Sequence, residues 1–240
     1  MSVELHLGDC LDILPALPAQ SVEAIITDLP YGTTACKWDE IIPFAPMWAA
    51  VKRVLKPRGV FVTTASQPFT SRLIASNMDW FKYEWIWNKH FGASFALCNI
   101  RPMIIHENVV VFSRSGGEYH PVMIRRDVPI KLGGKKKSIT APLASPLPAS
   151  KTYTEKYPVS ILDYSNRSET RGFHPTQKPV ALYEYLIRTY TNEGDTVLDI
   201  CAGSGTTGIA AMNTGRNAIL IEKDAKYFEI IQRRIEQAQP

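Results

Sequence analysis

The sequence lacks any apolar run long enough to cross a membrane, and it lacks the cysteine spacing of a metal site or a disulfide framework. Its four cysteines are scattered, at Cys10, Cys36, Cys98 and Cys201. The first residues have neither the basic flank nor the apolar core of a secretory signal. These absences predict a protein of the reducing cytoplasm without a structural metal.

Charge is present but unevenly placed. The length of 240 residues is enough for one sizeable core with an appended lobe. The composition, 45% hydrophobic and 21% charged, is ordinary for a globular protein. Residues 92–171 carry 12 Lys and Arg against 6 Asp and Glu, while the rest of the chain carries 15 against 17. A basic middle between near-neutral flanks predicts a polyanionic partner held by that middle.

The pattern along the chain predicts three regions. Residues 1–91 and 172–240 alternate strand-like and helix-like segments, whereas residues 92–171 are interrupted by glycine pairs and a lysine triplet. The Pro/Ala/Ser-rich residues 141–150 predict a mobile loop, and residues 56–59 are predicted to stop a helix. Strands are predicted at 3–7, 22–27, 60–64, 83–87, 108–112, 196–200 and 217–221, and helices at 11–17, 46–55, 69–76, 180–190, 206–213 and 225–237.

One predicted strand ends in the four residues Asp28-Leu29-Pro30-Tyr31. In open α/β sheets, ligands bind beyond the carboxyl ends of the strands. A carboxylate beside an aromatic ring is suited to hold a planar ring that bears an amino group. Asp and Pro also favour ordinary turns, so these four residues alone support a strand-ending turn equally well.

A glycine-rich loop follows the predicted strand that contains Asp199. Gly203 and Gly205 allow the backbone to pass close to a ligand, and the helix that follows offers free N–H groups. Glu222 ends the next strand, 23 residues after Asp199, where a carboxylate can hold ribose hydroxyls. Residues 203–208 match the nicotinamide fingerprint, but Asp199 before the loop and the single βαβ unit after it argue against a dehydrogenase. A kinase-like phosphate loop is excluded, since no Gly-Lys-Ser or Gly-Lys-Thr follows.

These two motifs, in this order and with the basic region between them, resemble the β group of S-adenosylmethionine-dependent DNA amino-methyltransferases. Residues 174–179 (His-Pro-Thr-Gln-Lys-Pro) and Gly8-Asp9-Cys10 match two further motifs of that family. The resemblance implies an α/β fold with a Rossmann-like, mostly parallel sheet of the class I methyltransferase type and an antiparallel strand near one edge. It implies a catalytic half at residues 1–91, a small basic inserted recognition lobe at 92–171 and a cofactor-binding half at 172–240.

The resemblance also implies roles for individual residues. The Asp28 carboxylate and the Leu29 carbonyl accept hydrogen bonds from the target amine, Pro30 stiffens the turn, and Tyr31 stacks on the flipped base. Leu29 stands where the family usually has Pro, and its carbonyl is unchanged by the substitution. The implied residues for S-adenosylmethionine are Asp9, Cys10, His174, Thr176, Lys178, Asp199, Cys201, Ala202, Gly203, Ser204, Gly205, Thr206, Thr207 and Glu222.

Within that set, Asp9 is implied to meet the cofactor adenine and Glu222 the ribose. Asp199 is implied to meet the methionine ammonium, with Thr176 and Lys178 near the methionine end. Cys201 replaces a Phe of the family and is interpreted as a small buried hydrophobe. No metal or protein nucleophile is needed for the direct displacement.

The basic region supplies the predicted contacts to double-stranded DNA. The candidate residues are Arg125, Arg126, Lys135, Lys136, Lys137, Arg167 and Arg171. Each of them is equally well explained as a solvated surface charge. His106 and Glu107 either face the target base or start a strand. Trp85 and Trp87 are predicted to serve the core.

Asp at position 28, where cytosine-specific relatives often carry Ser, favours methylation of adenine N6. Methylation of cytosine N4, an RNA or protein amine methyltransferase, and a catalytically dead DNA-binding protein stay open as alternatives. Absence of a Pro-Cys dipeptide excludes methylation of cytosine carbon 5. The resemblance allows a homodimer and a cognate restriction endonuclease as partners, in a cytoplasmic, nucleoid-associated protein of bacterial or viral origin.

Overall fold

A computed structural model describes residues 2–34, 39–92, 95–132, 151–166 and 177–238. Its strands are β1 (Val3–Leu7), β2 (Val22–Asp28), β3 (Leu55–Ala65), β4 (Phe81–Asn88), β5 (His106–Ser113), β6 (Ile124–Leu132), β7 (Lys151–Lys156), β8 (Ile161–Asp163), β9 (Thr196–Asp199) and β10 (Asn217–Glu222). Eight of these form one sheet in the order β1-β10-β9-β2-β3-β5-β4-β8. The remaining two, β6 and β7, pair antiparallel within a separate compact unit, residues 121–159.

Strand direction decides where polar side chains gather. β1, β10, β9, β2 and β3 run parallel, and β5 runs antiparallel to both of its neighbours, β3 and β4. The carboxyl ends of the parallel strands therefore lie at the same edge of the sheet as the amino end of β5. The predicted α/β fold, a mostly parallel sheet with an antiparallel strand near one edge, is confirmed.

Six helices cover the sheet: α1 (Cys10–Ile13), α2 (Phe44–Val54), α3 (Phe69–Ser76), α4 (Val180–Tyr190), α5 (Thr206–Thr214) and α6 (Ala225–Ala238). The first three share a core with Ile25 of β2, and the last three share a core with Ile26. Both residues are almost fully buried, as expected for a parallel strand covered on both faces. None of these helices is long and apolar enough to span a membrane, within the ranges that the structure describes.

Most predicted elements are confirmed to within a few residues, with two corrections in the first region. The helix α2 ends at Val54, just before residues 56–59, as predicted. Those four residues nevertheless belong to β3, which begins at Leu55 instead of residue 60 and changes its register with β2 between Val22 and Ala24. The helix predicted at 11–17 is split into α1 and a 3-10 turn at Leu14–Ala16, since Pro15 has no N–H to continue the helix.

Three strands were not predicted: β6, β7 and β8. Every residue of β7 is exposed, so its sequence has no apolar alternation to mark a strand. The mobile loop predicted at 141–150 lies outside the described residues. β5 lies within residues 92–171 but belongs to the main sheet, and the separate compact unit covers only residues 121–159. That residues 92–171 recognise DNA stays a prediction.

Asp39 holds the turn that follows β2. Its side chain is buried, and its two carboxylate oxygens accept four backbone N–H groups at 2.7–2.9 Å, from Tyr31, Gly32, Thr33 and Thr34. Gly32 has φ +66°, a left-handed conformation that glycine adopts without strain. Burial favours the protonated acid, but the N–H donors outweigh burial and lower the pKa of Asp39. One ionised side chain therefore fixes the backbone that follows Asp28.

We expect Asp39→Asn to lower the free energy of unfolding by about 2 kcal/mol at neutral pH, because an amide offers one acceptor oxygen where the carboxylate offers two. A lowered pKa means that the carboxylate stabilises the fold above its ordinary pKa of about 3.9 and loses this contribution as the pH falls through the folded value. Urea unfolding at neutral and acidic pH should therefore show a difference that shrinks on acidification. The exposed Asp79→Asn variant is the control, and equal unfolding midpoints for Asp39→Asn and the parent at neutral pH would contradict the assignment.

Candidate functional site

A cavity of about 390 Å³ opens at the sheet edge where the parallel strands end. Its walls include Asp28 from β2, Asp199 from β9 and Glu222 from β10. The residues after β1 and those before α4 complete it. This volume lies within the range of small-molecule sites, and the lining combines apolar side chains with a few convergent polar groups.

The half-buried Asp28 carboxylate is surrounded by hydrogen-bond donors. Its Oδ1 accepts from the Tyr31 hydroxyl at 2.9 Å and from the hydroxyl of Thr64, its pairing partner on β3. Its Oδ2 accepts from the Lys178 ammonium, in an ion pair that joins residues 150 positions apart. Asp28 is therefore oriented by three side chains before any ligand enters.

Tyr31 packs against Phe69, with ring centroids 5.3 Å apart and an interplanar angle of 27°. Its hydroxyl also lies 3.3 Å from Glu107 Oε2. Burial, together with the Asp28 and Glu107 carboxylates, raises the pKa of Tyr31 well above its ordinary value, so the hydroxyl remains a donor. Phe69 covers one face of the Tyr31 ring, and the Lys178 ammonium lies over the ring at 5.8 Å from its centroid. Stacking of a base on Tyr31 stays a prediction.

The two residues between Asp28 and Tyr31 also line the cavity. The Leu29 side chain is only 3% exposed and belongs to the core shared with α1, α2 and α3. Replacement of the family's proline by Leu29 therefore adds a buried apolar side chain to this core. Pro30 follows and restricts Leu29 to extended conformations.

Lys178 is part of a charged cluster that the sequence did not reveal. Its ammonium lies 3.8 Å from Glu107 Oε2, in addition to its bond to Asp28. Glu107 Oε1 in turn accepts from Lys89 Nζ at 2.9 Å. The structure places the Lys178 ammonium on the carboxylate of the catalytic motif. Its expected position near the methionine end of a cofactor stays a prediction.

Asp199 is almost fully buried and carries no bonded cation among the described residues. Its Oδ1 accepts from the Thr27 hydroxyl at 2.7 Å and from the Cys201 N–H at 3.0 Å, and its Oδ2 accepts from the Thr207 hydroxyl. Burial raises the pKa of Asp199 to about 6, against the effect of these hydrogen bonds. A carboxylate oxygen accepts two hydrogen bonds, so Oδ2 can take one more donor.

The glycine loop has the predicted conformation but a divided role. Gly203 has φ +54° and lines the cavity, and a Cβ built on it would meet no atom within 4 Å. Gly205 has φ +78° and lies outside the cavity wall, where a Cβ would meet Ile231 at 3.0 Å. Arg234 of α6 anchors the loop by donating to the Ser204 carbonyl. Gly203 therefore leaves room for a ligand, while Gly205 allows α5 to begin against α6.

Glu222 closes the loop from the neighbouring strand. Its Oε2 accepts the Gly203 N–H at 2.7 Å, and burial raises its pKa. Asp9 follows β1, the strand next to β10, and also lines the wall. Its Oδ1 caps α1 by accepting the Leu11 N–H at 2.9 Å. Cys201, expected to be a small buried hydrophobe, is half-buried on the cavity wall.

The structure thus brings most of the expected cofactor residues together. Those that line this one cavity are Asp9, Cys10, Lys178, Asp199, Cys201, Ala202, Gly203, Ser204, Thr206, Thr207 and Glu222. His174 and Thr176 lie outside the described residues. In the part of the chain that is described, no group of three or more His, Cys, Asp or Glu side chains is placed to hold a metal ion.

Of the expected DNA contacts, two can be located. Arg125 and Arg126 lie on β6, where Arg125 is exposed and Arg126 donates from Nε to the Glu155 carbonyl at 3.0 Å. The others, Lys135, Lys136, Lys137, Arg167 and Arg171, lie outside the described residues. Trp85 and Trp87 are buried as predicted, and Trp87 also lines the cavity.

Sequence reasoning missed Thr64, Lys89 and Asp39, and it left Glu107 undecided. Thr64 ends an apolar strand and could have been suspected from that position. Lys89 and Glu107 become neighbours only because β4 and β5 pair with Trp87 opposite Glu107. That register is a tertiary feature with no local sequence signal.

Comparison with known proteins agrees with this geometry. Type II methyltransferase M.HpaI of Haemophilus parainfluenzae is 27% identical over 248 residues, covering 98% of this chain and 75% of that protein. DNA adenine methyltransferase YhdJ of Escherichia coli (strain K12) is 29% identical over 255 residues, covering 96% and 82%.

Two solved structures are also similar. The M1.HpyAVI–SAM complex superposes with a TM-score of 0.64 at 25% identity, covering 97% of this chain and 99% of that one. The cytosine-N4-specific PvuII DNA methyltransferase superposes with a TM-score of 0.70 at 22% identity, covering 99% and 91%, a likeness of fold. The sequence profile of a DNA methylase family matches residues 22–233. The chain therefore belongs to the N6/N4 family of DNA methylases, whose cofactor is S-adenosylmethionine, as the motif order predicted.

Proposed function

We propose that this methylase transfers the methyl group of S-adenosylmethionine to the N6 amine of adenine in duplex DNA. The observation that carries the proposal is the single cavity that the Asp28 carboxylate shares with the carboxylates of Asp199 and Glu222. One end of such a site can hold a planar amine, and the other can hold an amino acid joined to a nucleoside.

The cofactor half fits the donor groups of S-adenosylmethionine. Asp199 Oδ2 has room for one more donor and, within the described ranges, no bonded cation, which suits an ammonium. Glu222 stands beside the open space at Gly203, which suits ribose hydroxyls. When bound, the cofactor supplies an electrophilic methyl group on a sulfonium sulfur. The role of this chain's residues is to orient that group and to exclude water from it.

The target half acts on the amine. The Asp28 carboxylate accepts a hydrogen bond from the exocyclic nitrogen and draws its lone pair out of ring conjugation, and Tyr31 stacks on the ring. As the nitrogen–carbon bond forms, the sulfur keeps the electron pair of the broken bond. The nitrogen then releases one proton, for which Asp28 is the nearby acceptor. An amine inside a duplex cannot reach this cavity, so the base has to be flipped out.

Adenine is favoured over cytosine by the aspartate at position 28 and by the similarity to YhdJ, which is named a DNA adenine methyltransferase. The PvuII enzyme is cytosine-specific, and its likeness at 22% identity concerns the fold. Methylation of cytosine N4 is the alternative, and mass spectrometry of the methylated nucleosides distinguishes it from methylation of adenine N6.

Recognition of DNA is assigned to residues 92–171, of which the β6–β7 unit presents the exposed Arg125. Exposed Lys and Arg side chains neutralise phosphates and give salt-dependent affinity that is independent of sequence. A homodimer and a cognate endonuclease stay predictions.

The Asp28→Ala variant should lose methyl transfer by about 100-fold or more, because the amine loses the acceptor that activates it. The measurement is incorporation of labelled methyl groups into unmethylated plasmid DNA, followed by mass spectrometry of the nucleosides. The parent should yield N6-methyladenine.

The control for this substitution is Asp79→Ala, which changes an exposed carboxylate outside the cavity and should retain full activity. Asp28→Ala should still bind S-adenosylmethionine in calorimetry. Parental activity in Asp28→Ala would overturn the mechanism, and N4-methylcytosine as the product would overturn the choice of base.

Affinity for S-adenosylmethionine should depend on pH through Asp199. Because burial raises the pKa of Asp199 to about 6, the carboxyl becomes protonated as the pH falls and can no longer pair with an ammonium. We expect the affinity, measured by calorimetry, to fall about tenfold between pH 7 and pH 5. The Asp199→Asn variant should bind more weakly at pH 7 and show little change over the same range.

Glu222 is the other carboxyl of the cofactor half with a raised pKa, and it supplies the matched control. Glu222→Gln should bind more weakly yet keep the tenfold pH dependence. The assignment to Asp199 fails if Asp199→Asn retains that dependence and Glu222→Gln loses it.

A further inference from the structure

The Asp28 carboxylate already holds three donors before a target base arrives. Tyr31 and Thr64 occupy Oδ1, and the Lys178 ammonium occupies Oδ2. The proposed function requires an exocyclic amine to donate to this same carboxylate. Oδ2 keeps one acceptor position, but its pairing with the Lys178 ammonium draws electron density away and makes it a weaker acceptor for a neutral amine. Departure of Lys178 from Asp28 would therefore strengthen the hydrogen bond to the target amine.

Lys178 cannot leave Asp28 for bulk water at low cost. Its side chain is only 10% exposed, and an ammonium without a partner in such a place is strongly unfavourable. Burial alone would lower the pKa of Lys178, but the Asp28 and Glu107 carboxylates raise it overall, so the group stays charged. A second acceptor inside the site is therefore needed.

Glu107 is placed to be that acceptor. Its Oε2 lies 3.8 Å from the Lys178 nitrogen, which is too long for a hydrogen bond. A small rotation of the Lys178 side chain would bring the two atoms within hydrogen-bond distance. Its Oε1 is anchored by Lys89 at 2.9 Å, and its backbone pairs with Trp87 inside the sheet. The carboxylate is thus held in position on a strand, 13% exposed, with one oxygen directed at Lys178.

We propose that Glu107 is a positioning residue for methyl transfer: its carboxylate receives the Lys178 ammonium when the target amine takes the place of that ammonium on Asp28. The proposal rests on the proposed function, since it needs an amine that competes for Asp28. Two carboxylates and two ammonium groups are present before and after the shift. After the shift Glu107 lies between the Lys178 and Lys89 ammonium groups, and Asp28 is held by neutral donors, namely the Tyr31 and Thr64 hydroxyls and the entering amine.

The principal test is Glu107→Gln, which keeps the shape of the side chain and removes its charge. Without that charge Lys178 stays on Asp28, so the single-turnover rate of methyl transfer to plasmid DNA should fall about 100-fold. The Kd for S-adenosylmethionine should change by less than about twofold, because Glu107 lies at the Asp28 end of the cavity. Glu118→Gln is the matched control, since its carboxylate pairs with the exposed Arg58 outside the cavity, and it should transfer at the parental rate.

A double-mutant cycle with Lys178→Met separates this role from a merely structural one. In the Lys178→Met background there is no ammonium for the Glu107 carboxylate to receive. Glu107→Gln should therefore change the rate of methyl transfer by less than about threefold in that background. The Glu107→Asp variant keeps the charge and should recover most of the loss, which also covers the case in which Glu107→Gln fails to fold.

Three results would overturn the proposal. They are a parental rate in Glu107→Gln, an equal loss from Glu107→Gln with and without Lys178, and a loss of cofactor affinity as large as the loss of rate. A Glu107→Asp variant as slow as Glu107→Gln counts against it in the same way. If the parent itself forms no methylated adenine, it is the proposed function that fails.

Discussion

The ion pair between Lys178 and Asp28 is the interaction on which the site depends. It joins the end of β2 to the segment before α4, two parts of the chain separated by 150 positions. The pair sits at the edge where the parallel strands end and where β5, running the other way, begins. Without the Lys178 ammonium, the Asp28 and Glu107 carboxylates would share a cavity wall with only Lys89 to balance them. The lysine therefore places a positive charge next to two carboxylates that lie close together.

Three aspartates near this edge differ in how the protein stabilises their charge. Asp39 is held by backbone N–H groups, and its pKa is lowered. Asp28 is held by an ammonium and two hydroxyls. Asp199 has hydroxyls and one N–H but no bonded cation among the described residues, and burial raises its pKa to about 6. The protein thus supplies a cation to balance the Asp28 carboxylate, whereas it supplies none to Asp199 within the described residues. The second arrangement suits a cofactor that carries its own ammonium.

The sequence allowed prediction of the site residues that lie at strand ends, but not of the contacts that depend on how strands pair. Asp28, Asp199 and Glu222 could be placed in one cavity because each ends a strand of a parallel sheet, and all three line it. The contact between Glu107 and Lys89 could not be predicted, since it depends on the register of β5 with β4. Strand β7 was missed because its residues are exposed and carry no periodic signal.

Leu29 shows how the fold can replace a lost proline. The resemblance to the family implies Pro at this position, and the proposed function needs a firmly held carbonyl there. Here Pro30 restricts Leu29 from one side, and the Leu29 side chain is anchored in the core. Directly after Pro30, Asp39 fixes the backbone N–H groups of four consecutive residues, beginning at Tyr31. The carbonyl therefore lies between two restrained segments, and the rigidity that a second proline ring would supply comes from packing and from one buried carboxylate.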